Sequence, residues 1–232
     1  MGIIRELPSM RDRAPVLHSR REAGRMLAQI LADEEVRADV ICPIPSGGVP
    51  VGVEIAVSLG AKLCIAVVRK VQIPGNTEAG FGAVAWDGSV LMHEKLEKRL
   101  GLRVSERDAA IARAREHVER RLALFTGGRP FPRLDGLHAV LTDDGLASGC
   151  TMLAAVRAIR SAGPSRVTVA VPTGSAVTVA RVAREVDELA CLNVRSGFSF
   201  AVADAYEEWY DLQDHEVLEL LALARASGVE IF

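Results

Sequence analysis

Short apolar runs rich in β-branched residues alternate along this chain with stretches of helical periodicity, and that alternation restricts the fold more than any other feature. Residues 40–44, 63–68, 137–142, 167–171 and 189–194 read as strands. Between them come helices with recognisable starts. Ser19 and Glu22 have capping-box spacing, and Ala23, Met26, Leu27, Ile30 and Leu31 follow as one apolar stripe. Pro50 suits the first turn of a helix ending near Gly60. Ser105 and Asp108 repeat the capping spacing ahead of Ile111, Ala114, Val118, Leu122 and Phe125. A helix over 151–161 is closed by Gly163 and Pro164. Ser175 caps a helix to about Glu185, and Asp214 caps a last one carrying Val217, Leu218, Leu221 and Leu223. Strands alternating with helices predict an α/β fold in three layers, a parallel sheet with helices on both faces. Such sheets bind ligands beyond the carboxyl ends of their strands.

The stretch from 69 to 104 breaks the pattern. Gly75, Gly80, Gly82, Gly88 and Gly101 punctuate it, and only 89–92 looks strand-like. A segment this long without strong periodicity is expected to be functional or mobile.

Composition removes several function classes. A chain of 232 residues suits one domain, 1–232. The net charge of -2 gives no global basic field, so no nucleic-acid partner is expected. Cys42, Cys64, Cys150 and Cys191 form no CxxC pair and read as free thiols, as in a reducing compartment. No run approaches the ~20 apolar residues of a membrane span, and the charged start has no signal-peptide core. A cytoplasmic protein without membrane association is the expectation. His18, His93, His117, His138 and His215 lack paired ligand spacing, which argues against zinc. No GxGxxG turn follows the first strand, which argues against a dinucleotide-dependent oxidoreductase.

The chemistry concentrates in one segment, Val140-Leu141-Thr142-Asp143-Asp144-Gly145-Leu146-Ala147-Ser148-Gly149-Cys150-Thr151. A buried strand ends in two carboxylates, small or turn-forming residues follow, and a helix begins. Free N–H groups and the dipole at a helix start favour a phosphate. Gly149 lets backbone approach a ligand, and Ser148 and Thr151 add hydroxyl donors. The carboxylates suit ribose hydroxyls or a cation accompanying pyrophosphate. A phosphate site beside a diol site describes a phosphorylated sugar.

This segment resembles the signature with which type I phosphoribosyltransferases bind 5-phosphoribosyl-1-pyrophosphate (PRPP). The resemblance implies that Asp143 and Asp144 are the catalytic pair, holding the ribose 2′- and 3′-hydroxyls and Mg2+. It implies that Ala147, Ser148, Gly149, Cys150 and Thr151 wrap the 5′-phosphate. It extends over nearly the whole chain to a narrower group of phosphoribosyltransferases with unassigned acceptor, found alone or fused to hydrolase domains. The matching stretches are 44–51, Val68-Arg69-Lys70, Pro74-Gly75-Asn76-Thr77-Glu78, Phe81-Gly82-Ala83-Val84 and Tyr206-Glu207-Glu208-Trp209-Tyr210. By this likeness Ser46, Gly47 and Gly48 bind pyrophosphate through main-chain N–H groups, and Arg69 and Lys70 supply cations from the same crevice. A mobile lid loop at about 71–104 and a small hood from 1–18 and 195–212 are also implied.

Two residues depart from the family's habit. Ser46 stands where the narrower group often carries Arg, and Ala147 stands where hypoxanthine-guanine enzymes carry an Asp. The second marks down 6-oxopurine transfer. Phe198, Phe200, Tyr206, Trp209 and Tyr210 offer stacking faces to an acceptor. The implied reaction moves the 5-phosphoribosyl group from PRPP to a nitrogenous base or amine, releasing pyrophosphate, in a homodimer. The other reading, which Ser46 favours, is a PRPP- or nucleotide-binding regulatory protein that kept the pocket and lost turnover.

Overall fold

A computed structural model describes residues 2–76, 79–197 and 199–232. In chain order its regular elements are β1 (Ile3–Glu6), α1 (Arg20–Asp33), β2 (Val40–Pro43), α2 (Gly48–Leu59), β3 (Lys62–Leu63), β4 (Val68–Gln72), β5 (Gly80–Ala85) and β6 (Val90–Met92). There follow α3 (Glu94–Leu100), α4 (Val104–Thr126), β7 (His138–Thr142), α5 (Cys150–Ser161), β8 (Arg166–Ser175), α6 (Ala176–Val182), β9 (Glu188–Arg195) and α7 (Asp214–Ala226).

Six strands form one sheet in the order β1-β9-β8-β7-β2-β3, and every neighbouring pair is parallel. Burial on both faces explains why the central strands read as unbroken apolar runs. Alternate residues along each strand feed two separate cores. Ile41, Val140, Ala170 and Ala190 face the core built with α1, α2, α4 and α7. Cys42, Leu141, Val169 and Cys191 face the core built with α5 and α6. Cys42, Cys64 and Cys191 are buried free thiols.

The expected helix starts follow from local chemistry. The Ser19 hydroxyl accepts the Glu22 N–H at 3.3 Å, and Ser175 does the same for Thr178 at 3.3 Å. Gly60, in the left-handed region, ends α2. The last helix is capped one residue earlier than expected, by Gln213 with Glu216, and α4 two residues earlier: Ser105 lies inside it, and the Glu106 carboxylate accepts the Arg103 N–H at 2.9 Å.

Three places differ from the sequence expectation. Residues 63–68 do not make one strand. Lys62–Leu63 closes the parallel sheet, the chain then crosses over, and Val68 opens a second, antiparallel sheet of order β4-β5-β6. The glycine-punctuated stretch is therefore mostly regular structure: β5, β6 and α3 occupy it. Its glycines mislead because Gly82 serves close strand pairing; a Cβ there would lie 2.7 Å from Met92 Sδ. Finally, the charged start contains β1, an edge strand beside β9. Further along, Leu17 bridges Tyr206, so 16–17 and 205–206 run together above the sheet's carboxyl end. Among the described residues no helix is long and apolar enough to cross a membrane.

Candidate functional site

β2 and β7 are neighbours, so the loops leaving their carboxyl ends meet. The loop after β7 carries Asp143 and Asp144, and the loop after β2 carries Ser46, Gly47 and Gly48. The approach is so close that side chains are excluded. A Cβ on Gly47 would lie 1.9 Å from Asp144 Oδ2, and one on Gly48 would lie 2.8 Å from the Thr142 carbonyl. The peptide bond between Pro45 and Ser46 is cis. The structure thus brings the expected ribose and pyrophosphate segments together.

Asp144 is held from three sides. Arg20 Nε donates to its Oδ2 at 3.0 Å, the Tyr206 hydroxyl donates to its carbonyl at 2.7 Å, and its own N–H donates to Asp143 Oδ1 at 2.9 Å. Its side chain is 17% exposed and that of Arg20 7%. Arg20 also donates to the Tyr210 carbonyl at 3.0 Å, and its guanidinium lies 3.8 Å from the Trp209 ring centroid. Burial pushes both carboxyls above the usual carboxylate range. The charge of Asp144 pushes Asp143 further, while Arg20 pulls Asp144 back down. Such a crevice gains stability from any ligand that brings hydroxyl donors or a cation to the pair.

On the far side of the acid pair the chain forms the expected anion turn. Leu146 bridges Gly174, which ties the turn to the end of β8. Gly149 has φ +70° and precedes the first residue of α5, Cys150. A Cβ at Gly149 would sit 2.5 Å from Thr178 Cγ2. Two side chains of α6 brace the turn: Thr178 Oγ1 donates to the Ala147 carbonyl at 2.7 Å, and the Arg181 guanidinium donates to the Ser148 carbonyl. Ala147 and Ser148 are exposed and Thr151 is half-buried. The Ser148 hydroxyl accepts the Cys150 N–H at 3.4 Å. Burial raises the Cys150 thiol, against the opposing charges of Arg181 and Lys70, so this cysteine is a space-filling thiol rather than a thiolate at neutral pH.

Arg69 and Lys70 do not point the same way. They are successive residues of β4, and their neighbours show the alternation: Val67 and Val71 join the α4-side core, Ala66 and Val68 the α5-side core. Lys70 therefore faces the Cys150 turn, where its charge acts on the thiol. Arg69 faces α4, where its charge acts on His117 and Arg121.

The sequence reading passes over three cations. Arg20 is only the residue after the Ser19 cap, and Arg181 carries no sequence signal of its own. Arg121 is 6% exposed on α4. It donates to Ser46 Oγ at 2.6 Å and the Pro45 carbonyl at 3.3 Å, and pairs with Asp214 at 2.7 Å. A guanidinium thus stands at Ser46 although residue 46 does not supply it. Of the expected stacking residues, Tyr206 is buried, and Trp209 lends a ring face to Arg20. Phe198, Thr77 and Glu78 lie outside the described residues.

The family profile described as "Phosphoribosyl transferase domain" matches residues 16–206, a span that contains both loops. The chain belongs to this family. Relatives from two strains of Mycobacterium tuberculosis, provisionally named phosphoribosyl transferases, are each 38% identical over 211 residues. The alignment covers 91% of this chain and 47% of theirs, so the chain spans about half the length of the curated relatives it matches. The crystal structure of TT1426 from Thermus thermophilus is 36% identical, covers 88% of this chain and 97% of its own, and superposes with a TM-score of 0.72. The fold is that of the type I phosphoribosyltransferases.

A magnesium ion is implied by the family, and the donors present fit one that arrives with its substrate. Among the described residues no group of three or more His, Cys, Asp or Glu side chains could cage an ion. The acid pair offers hard carboxylate oxygens, which suits Mg2+ shared with substrate phosphates and waters.

Proposed function

We propose that this chain transfers the 5-phosphoribosyl group of PRPP to a nitrogen nucleophile, releasing pyrophosphate. One observation carries the reading: an acid pair at the end of β7 lies between Gly47 and Gly48, where no side chain fits, on one side and a helix-start turn on the other. In this reading Asp143 and Asp144 accept hydrogen bonds from the ribose hydroxyls. Ala147, Ser148, Gly149, Cys150 and Thr151 wrap the 5′-phosphate, with Arg181 behind the turn and Lys70 facing it. Gly47 brings its main-chain N–H to the pyrophosphate, whereas the Gly48 N–H donates to the Ile44 carbonyl at 3.0 Å and Gly48 serves by leaving room for the acid pair.

The bond from ribose C1 to the pyrophosphate oxygen breaks with its electron pair leaving on oxygen, and a bond from C1 to the acceptor nitrogen forms. Positive charge grows on the ring while the carboxylates stand near it, so the chain's contribution is positioning and electrostatic stabilisation. Mg2+, when bound at Asp143 and Asp144, neutralises pyrophosphate charge. A lid formed from part of 71–104 and a hood from 1–18 and 195–212 would exclude water from the ring. A homodimer in the cytoplasm fits the family likeness.

The regulatory alternative draws its support from the missing charge at residue 46. Arg121, at 2.6 Å from Ser46 Oγ, supplies a guanidinium there and weakens that support. The test is pyrophosphate release from PRPP with Mg2+ across a panel of purine and pyrimidine bases and amines. Turnover with one acceptor supports the transferase; tight PRPP binding with no release for any acceptor supports the regulatory protein.

A further inference from the structure

Away from the acid pair, a groove of about 520 Å3 runs between the outer face of α5, the end of α6 and β6. Neither Asp143 and Asp144 nor the turn from Ala147 to Thr151 lines it. Its floor is Leu91, Leu153 and Val156; the first two are half-buried and pack on the α5-side core, to which Val156 belongs. Its rim is charged, with Arg157 and Arg160 from α5, Arg181 from α6, and Glu185 just beyond. Leu153, Arg157 and Arg160 share a face of α5 because they are spaced four and three residues apart.

The charges of the rim do not balance. Arg160 pairs with Asp187 at 3.1 Å, so its charge is met. Arg157 is exposed and, among the described residues, has no ion pair. Arg181 donates to the neutral Ser148 carbonyl, and its Nε is buried without a hydrogen-bond partner. Two guanidinium groups therefore stand against one carboxylate, Glu185, which suits a ligand with a single negative charge. The apolar floor beside them calls for a ligand with an apolar body. Arg181 also ties the groove to the candidate site, because it is one of the two side chains of α6 that brace the turn at Ala147 and Ser148.

We propose that this groove binds a monoanionic amphiphile, a carboxylate on an apolar body, and that its occupancy loosens the turn from Ala147 to Thr151 by drawing Arg181 from the Ser148 carbonyl. The carboxylate lies between Arg157 and Arg181, and the apolar body covers Leu91, Leu153 and Val156. A carboxylate outcompetes a neutral carbonyl for a guanidinium, since both partners are then charged. The coupling rests on the reading of that turn as the 5′-phosphate site; the groove itself does not. The coupling is reciprocal, so phosphate on the turn weakens the amphiphile by the factor with which the amphiphile weakens the phosphate.

The test is calorimetric titration of the full chain with octanoate, set against octylamine, which at neutral pH carries the same chain and the opposite charge. Wild type is compared with the Arg157→Glu variant, whose change falls on an exposed position of α5 outside the turn. The expected result is saturable binding of octanoate but not of octylamine to wild type, and octanoate affinity about ten-fold or more weaker in the variant at an unchanged melting temperature. Saturating octanoate should weaken ribose 5-phosphate binding to wild type several-fold, and ribose 5-phosphate should weaken octanoate by the same factor. Equal octanoate affinity in the two proteins, no saturable binding to wild type, or equal binding of octylamine overturns the site. Ribose 5-phosphate affinity unchanged by bound octanoate overturns the coupling. Octanoate binding as expected to a protein with no affinity for ribose 5-phosphate refutes the 5′-phosphate reading and leaves the groove standing.

Discussion

The two halves of the candidate site are built on different plans. The half that reads as ribose and 5′-phosphate comes from one continuous segment, Asp143 to Thr151, with its turn fixed by Leu146 against Gly174 and by Thr178 and Arg181. The half that reads as pyrophosphate is assembled from separate pieces: the β2 loop, opposite faces of β4, and Arg121 from the middle of α4. A continuous segment fixes its own geometry through local backbone. An assembled one depends on a buried guanidinium from a distant element, Arg121, and on the half-exposed Asp214 that pairs with it. The first half should therefore respond to backbone changes, and the second to the loss of distant charges.

The largest effect is expected at the joint between the halves. Arg20→Met removes the guanidinium from Asp144, from the Tyr210 carbonyl and from the Trp209 ring. It should cost about 3 kcal/mol in urea unfolding, and PRPP affinity with it. A loss no larger than that of an exposed arginine would show that Arg20 does not organise the acid pair.

Arg121→Met comes next, at about 2 kcal/mol, because Asp214 is 42% exposed and water can take over its solvation. Its sharper signature is selective. Pyrophosphate inhibition should weaken several-fold while inhibition by ribose 5-phosphate stays near wild type; equal weakening of both would break the division into two halves. The smallest effect is expected from Gly149→Ala. It places a Cβ at φ +70° and close to Thr178, for about 1–2 kcal/mol of strain. There the selectivity reverses, and ribose 5-phosphate should lose more than pyrophosphate.

The contrast also explains what the sequence discloses. The parallel sheet and most helix starts are legible because burial on two faces and capping residues leave local marks at Val140, Ser19 and Ser175. The acid pair and its turn are legible because they are contiguous. The second sheet is not, since Gly80 and Gly82 read as loop punctuation although they serve close strand pairing. Arg20 and Arg121 escape a sequence reading for a shared reason. Each resembles a solvent-facing charge, yet each lies in phase with an apolar stripe: Arg20 with Ala23, Leu27 and Leu31, Arg121 with Ala114, Val118 and Phe125. A charge at a stripe position has to find a buried partner, and here those partners are Asp144 and Ser46. The opposed directions of Arg69 and Lys70 are readable from strand alternation alone.

The most direct test is PRPP binding, measured calorimetrically with Mg2+, by the Asp143→Asn/Asp144→Asn variant. Asparagine keeps the shape, and its carbonyl oxygen can still accept from Arg20, so melting should stay close to wild type. The account predicts affinity at least about a hundred-fold weaker, from the loss of two charge-assisted sets of hydrogen bonds. Wild-type affinity in a folded variant would contradict it.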